Sequence, residues 1–241
     1  MSEENSSQPK TSALLWILSL AYIYVLLLSP PGQILPGEPI WAVQPETLRE
    51  LWNESVNFFF ILPIASAIGM TSDLAPTVHP WIEAQFNFAE AWIFMFLPLL
   101  LADQRTQGFP KVLIWGLAMF LTNTFLCPYM ALRATKPKAE SEEEPRKDLL
   151  ARIFGVMGIT IGVISLVWLI LARPEFGDLT ARYEYFINDL AHDRVTIAFC
   201  VDLLLFTIFQ IVLLGEIEPS NSGKRWLRFI PFWGLAVWLL I

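Results

Sequence analysis

A chain of 241 residues that is 55% hydrophobic, with 10 Trp and 18 Phe gathered in blocks, is far more apolar than a water-soluble domain of that length. Its net charge of −7 is not offset by any basic patch interleaved with aromatics, which excludes a nucleic-acid-binding surface. The 2 cysteines, Cys127 and Cys200, lie in separate apolar runs, match no metal-ligand spacing and are expected to stay unpaired.

A hydrocarbon core of about 30 Å takes about 20 helical residues to cross. Seven runs approach that length: 12–29, 51–70, 81–102, 112–132, 153–172, 195–214 and 226–241. The expected fold class is therefore all-α, a polytopic transmembrane helical bundle of six to seven spans. The second run opens on the polar Asn53, Glu54 and Asn57, and the seventh ends early, so these two are the weakest. Pro30, Pro31 and Gly32 follow the first run in place of a small-residue cleavage site, which marks it as a retained span.

With the N-terminus cytoplasmic, ten of the sixteen Lys and Arg residues face inward and six outward, and the positive-inside rule favours that orientation. The organisation expected is a polar tail at 1–11, a four-span half at 12–133, a charged cytoplasmic linker at 134–150 and a three-span half at 151–241. Prolines hold the link after the first run extended. PETLRELW, from Pro45, reads as a helix start with acidic Glu46 at its positive end. Trp41 and Trp52 suit the membrane interface, and residues 173–194 suit a short amphipathic surface helix.

The third run, WIEAQFNFAEAWIFMFLPLLL, carries Glu83, Asn87 and Glu90 on one helical face. A carboxylate in hydrocarbon costs roughly 2.5–3.5 kcal/mol, so an intramembrane acid points to function unless it is paired. Glu83, close to the interface, is read as solvated. Glu90 and Asp202 are the candidate catalytic acids, and Asn57, Asn87, Glu90, Asn123 and Asp202 the candidate ligand-binding set. Counting about 1.5 Å per residue puts Glu90 level with Asn123, and Asp202 level with Asn57. Tyr22 and Gln210 would line the space between these layers. Pro63, Pro98 and Pro128 each remove a backbone hydrogen bond and are expected to kink their spans and open a cavity. Phe58, Phe59, Phe60, Phe86, Phe88, Phe94 and Phe96 either face lipid, the simpler reading, or line a polyene site. His79 and His192 fall in links on opposite sides of the membrane, where they either need no role, the simpler reading, or serve as metal or chlorophyll ligands, and Arg194 is read as anchoring its helix at the interface in preference to neutralising Asp202.

At HPWIEAQFNFAEAW, LTNTFLCPYMALR and DRVTIAFCVDLLLFTIFQ the chain resembles a family of small multi-pass membrane proteins of cyanobacteria and plastids. The resemblance implies a photosynthetic setting, either the thylakoid or the cyanobacterial plasma membrane, and implies no chemistry. The chain is also similar to small seven-span terpene cyclases, in which an Asn precedes a Trp-Glu pair by three residues. Here Asn87, Phe88, Ala89 and Glu90 place no Trp beside the acid.

Three functions fit these features. The first is a non-catalytic membrane protein whose polar cavity holds a hydrophobic cofactor or lipid, or docks a membrane-complex partner. The second is an acid-catalysed isoprenoid or lipid enzyme, and the third a proton-coupled transporter with Glu90 and Asp202 as relay stations. No internal repeat supports the third.

Overall fold

With no water to serve the backbone, an apolar run folds as a helix, which satisfies its own N–H and C=O groups. The computed structural model describes residues 2–70, 75–138, 145 and 147–241, with side chains from residue 9 onward. All regular structure among the described residues is helical. In chain order the helices are α1 (Ser2–Tyr22), prolonged by a π-helical segment (Ile23–Leu28), α2 (Pro45–Val56), α3 (Ile61–Ala67), α4 (Pro80–Ala102), α5 (Lys111–Leu121), α6 (Asn123–Ala134), α7 (Leu149–Leu171), α8 (Leu179–His192), α9 (Arg194–Ile217) and α10 (Trp233–Leu240).

Four of these are long and apolar enough to cross a membrane: residues 9–28 of the first helix, α4, α7 and α9. The other three apolar runs are interrupted. The second breaks where Asn57 ends α2 and where Phe59 and Phe60 take left-handed φ values of 51° and 57°, leaving α3 only seven residues long. The fourth breaks at Thr122, with φ 34° and ψ −113°. The seventh is a 3-10 turn (Arg225–Phe229) followed by the eight residues of α10. The breaks of the second and fourth runs do not fall at prolines, whereas Pro231 lies in that of the seventh. Pro98 and Pro128 lie within continuous α4 and α6, and Pro63 sits in the first turn of α3, where its missing N–H costs nothing. Polar Asn57 and Thr122 instead offer the backbone local alternatives to the helix.

The fourth run is a hairpin. Lys111 Nζ, at the start of α5, donates to the Asp103 carbonyl, and Arg133, at the end of α6, bonds the Asp103 carboxylate, so both ends return to one residue. Each arm, at about 1.5 Å per residue, reaches about half of a 30 Å hydrocarbon core.

The chain forms two compact units, residues 1–24, 92–159 and 202–241 in the first, and 25–91 and 160–201 in the second. Each draws on both sides of the linker expected at 134–150, of which residues 139–144 and 146 lie outside the described residues. In the first unit α1 packs along α6, with Ser12 Oγ donating to the Ala131 carbonyl. Its core includes Trp92, Phe96, Phe206 and Phe232, whose rings meet at centroid distances of 5.6–5.8 Å. On α7, Gly155 faces α10 so closely that a Cβ there would lie 2.9 Å from the Ala236 carbonyl oxygen.

In the second unit Arg194, at the start of α9, donates to the carbonyls of Ser29, Leu35 and Pro36 and clamps the proline-rich link. Gly37 completes the clamp: its φ is 72°, and a Cβ there would meet the Arg194 backbone nitrogen at 3.1 Å. Asp178 caps α8 by accepting from Ala181 N, and buried Arg182 reaches back to the carbonyls of Leu169, Ala172 and Arg173 that end α7. Phe60 is fully buried against Trp168 at 5.0 Å, and Phe86 is buried beside Phe199, so these rings, like Phe96, form core rather than a lipid-facing surface. His79 stacks on Tyr185 of α8, the helix that ends in His192, so the two histidines belong to the same unit. We expect Gly155→Val to lower stability by about 1–3 kcal/mol by overpacking the α7–α10 contact, measured as a fall in the detergent melting temperature.

Candidate functional site

Asp202 of α9 is 4% exposed, and its carboxylate is met by three side chains. Oδ1 accepts from Tyr22 Oη and Asn123 Nδ2, each at 2.7 Å, and Oδ2 accepts from Thr122 Oγ1 at 2.7 Å. Tyr22 and Thr122 also lie within hydrogen-bond distance of one another, at 3.0 Å. The broken backbone at Thr122 therefore delivers two adjacent donors, and the positive end of the α6 dipole, to one buried acid. Asn123 is thus a partner of Asp202, which corrects the depth arithmetic that set it level with Glu90. That arithmetic assumed one continuous span through 112–132.

Glu83 of α4 was expected to be solvated. It is 0% exposed. Asn57 Nδ2 donates to Oε1 at 2.7 Å, Trp168 Nε1 to Oε2 at 2.7 Å, and Arg173 Nε to Oε2 at 3.0 Å. Asn87 Nδ2 donates to the carbonyls of Glu83 and Asn57. Asn57 and Asn87 therefore belong to the Glu83 cluster, and Asn57 is not the partner of Asp202. Arg173 and Asn57 both also donate to the Pro76 carbonyl, joining the ends of α2, α4 and α7. Glu90 lies three residues beyond Asn87 in α4 and is 8% exposed.

A third cluster carried no sequence motif. Asp103 accepts from Arg133 Nε at 2.7 Å, Tyr129 Oη at 2.8 Å and Thr106 Oγ1 at 3.2 Å. Arg133 and Arg105 both pair with Glu216 near the end of α9, at 3.0 and 2.9 Å. Burial by itself would raise the Asp103 carboxyl, but the bonds and charge of Arg133, with Tyr129 and Lys111, outweigh it and hold the acid below its ordinary range. The one available signal was that Asp103 and Arg133 each flank an apolar run. Gln210 does not line a space: its Oε1 accepts from Trp92 Nε1 and Phe232 N, and its Nε2 donates to the Ile230 carbonyl, seating the entry to α10.

The second unit contains a cavity of about 410 Å³ walled by α2, the approach to α4, the end of α8 and the start of α9. Its described lining includes Glu50, Glu54, Asp189 and Asp193, with His79 and Tyr185, and no Lys or Arg among the described residues. Burial, and then the nearby Asp193, Glu50 and Asp189, push the Glu54 carboxyl up to about 7. Burial, with Arg182 nearby, lowers His79 to about 4. Among the described residues no group of three or more His, Cys, Asp and Glu is arranged to hold a metal ion.

An all-helical chain with four helices long and apolar enough to cross a membrane is consistent with an integral membrane protein. No family profile, curated protein or solved structure matches it.

Arg173→Ala leaves Glu83 buried without its cation and is expected to cost about 3–5 kcal/mol, read as loss of the folded, monodisperse protein on detergent purification. For Glu54, a folded value above the ordinary one means that stability is full below about 4.5 and falls as pH rises toward about 7. Glu54→Gln should therefore melt higher than wild type at pH 8 and alike at pH 4, in paired melting curves.

Proposed function

We propose that this chain is a non-catalytic helical membrane protein, N-terminus cytoplasmic, that holds a hydrophobic cofactor or lipid or docks a membrane-complex partner, with its buried acids acting as fasteners between helices. The observation that carries this reading is the state of Asp202. Its two oxygens already accept from three side chains, so using it as an acid or a relay would strip partners from buried donors, at about 1–3 kcal/mol each. Glu83 is committed in the same way to Arg173, Trp168 and Asn57. The photosynthetic membrane implied by the sequence resemblance belongs to the same proposal.

Four crossings, at α1, α4, α7 and α9, give this protein its topology, with the α5–α6 hairpin entering and leaving by the cytoplasmic face. Arg105 and Lys111 then change sides relative to a seven-span reading, and the count of Lys and Arg moves from ten against six to twelve against four. The larger imbalance supports both the four-span arrangement and the cytoplasmic N-terminus.

Two measurements test this. In a background with Cys127 and Cys200 replaced by Ser, Gln107→Cys should react with a membrane-impermeant thiol reagent from the cytoplasmic face and Thr77→Cys from the opposite one; the seven-span arrangement requires the reverse. Asp202→Asn and Glu90→Gln, purified gently beside the wild type, should lose stability, bound lipid or co-purifying partners. If stability, lipid and partners are all unchanged in both variants, the fastener reading fails.

A further inference from the structure

The segment between α9 and α10 carries cations that the three buried clusters do not use. Its 3-10 turn (Arg225–Phe229) brings two guanidiniums to one residue, Gly215 in the last turn of α9. Arg225 Nε and Nη2 donate to the Gly215 carbonyl at 3.1 and 2.7 Å, and a Cβ at Gly215 would collide with Arg228 Nη1. It is the lack of a side chain at Gly215 that lets Arg228 lie against α9. Two positive charges gathered at one residue repel each other, and an anion beside them relieves the cost.

Among the described residues the chain supplies no such anion. The acids nearest in sequence are spent elsewhere: Glu216 pairs with Arg105 and Arg133, and Glu218 accepts from Trp238 Nε1 at 2.7 Å and from Ser222 Oγ. The Arg228 guanidinium makes no ion pair or hydrogen bond among the described residues, and its Nε is buried without a partner. It lies over the Phe229 ring, 4.5 Å from the centroid, which covers one face and leaves the in-plane donors to be filled. That open edge suits the paired oxygens of a phosphate, which a guanidinium takes through two parallel hydrogen bonds. The neighbouring side chains give the phosphate its setting. Trp226 and Phe229 are each 58% exposed, and α9, which Gly215 helps to close, is long and apolar enough to cross a membrane. Exposed aromatics beside cations at the end of a span are the composition of the lipid headgroup layer.

We propose that Arg225 and Arg228 form a site for the phosphodiester of an anionic phospholipid, with Trp226 and Phe229 seated at headgroup level beside it. Lys224, next to Arg225, adds a third positive charge. A zwitterionic lipid carries the same phosphate, but its ammonium group offsets the charge, so two guanidiniums select the anionic headgroup. The inference rests on the reading of this chain as a membrane protein and specifies a lipid that it holds. In the four-span topology the site faces the cytoplasmic leaflet, where anionic lipids are concentrated.

The test reconstitutes the full chain into nanodiscs of mixed phosphatidylglycerol and phosphatidylcholine, recovers it in mild detergent and counts the retained lipids by mass spectrometry. Wild type should be enriched in phosphatidylglycerol, and Arg228→Gln should lower that enrichment about fivefold. Should that variant not fold, Gly215→Ala carries the comparison: it keeps every charge, suits a helix, and should lower the enrichment by pushing Arg228 from its seat. Arg152→Gln, which removes an exposed cation from the first turn of α7, should leave the enrichment unchanged. In lipid-free detergent, short-chain phosphatidylglycerol should raise the melting temperature where inorganic phosphate at equal ionic strength does not. An equal rise with inorganic phosphate assigns the site to a soluble anion and overturns the lipid. Wild type that enters nanodiscs without preferring phosphatidylglycerol, or an equal loss in Arg152→Gln, overturns the site. A chain that fails to enter the bilayer at all overturns the membrane reading instead.

Discussion

The bond between Asp202 and the Thr122–Asn123 break decides the architecture of the first unit. A carboxylate in an apolar interior must have its lone pairs filled or lose its charge. The straight helix that residues 112–132 would otherwise form presents few polar groups to a neighbour. By giving up helical geometry at Thr122, the chain spends about 1–3 kcal/mol of backbone strain. In return it supplies a hydroxyl and an amide donor at one point, and Tyr22 of α1 adds a third donor. The hairpin tip, the middle of α9 and the end of α1 are held by that one acid.

The other two clusters repeat the principle at helix ends. Asp103 gathers the end of α4, the start of α5 and the end of α6, and Arg133 extends the set to Glu216 of α9. Glu83 does the same for α2, α4 and the end of α7 through Asn57, Arg173 and the shared Pro76 carbonyl. Each acid takes a guanidinium and neutral donors together, which is the geometry in which a buried ion pair repays its desolvation. Most of the ionisable groups that an apolar chain must hide are therefore spent on closing it. The acids around the Glu54 cavity stand apart, because among the described residues no Lys or Arg shares their wall.

Much of the secondary structure was legible from the residues. The α4, α7 and α9 helices fall within a few residues of the apolar runs that announce them, since an uninterrupted run of that length has only one way to satisfy its backbone. The helix beginning at Pro45 and the short helix within 173–194 were also legible, from a proline at the first helical position and from charges alternating with aromatics. Hydropathy was blind to the breaks at Asn57–Phe60 and Thr122, because a hairpin of two half-length helices and one full span have the same composition. The candidate polar residues were recognisable as costly, yet their partners were not: Glu83 was placed in solvent because it stands near the start of its run, close to the expected interface, and nothing local announces that Asn57, Trp168 and Arg173 close over it.

By itself, then, the sequence determined that the chain is helical and apolar enough for a membrane, that its acids need partners, and that its positive charges are distributed unequally. These are properties of local composition and of the backbone's need for hydrogen bonds. Only the tertiary structure decided which apolar runs fold back, which donor meets which acid, and where four carboxylates gather around one cavity. Those choices rest on pairs such as Tyr22 and Asp202, 180 positions apart, whose meeting depends on how helices pack and not on anything that either segment prefers alone.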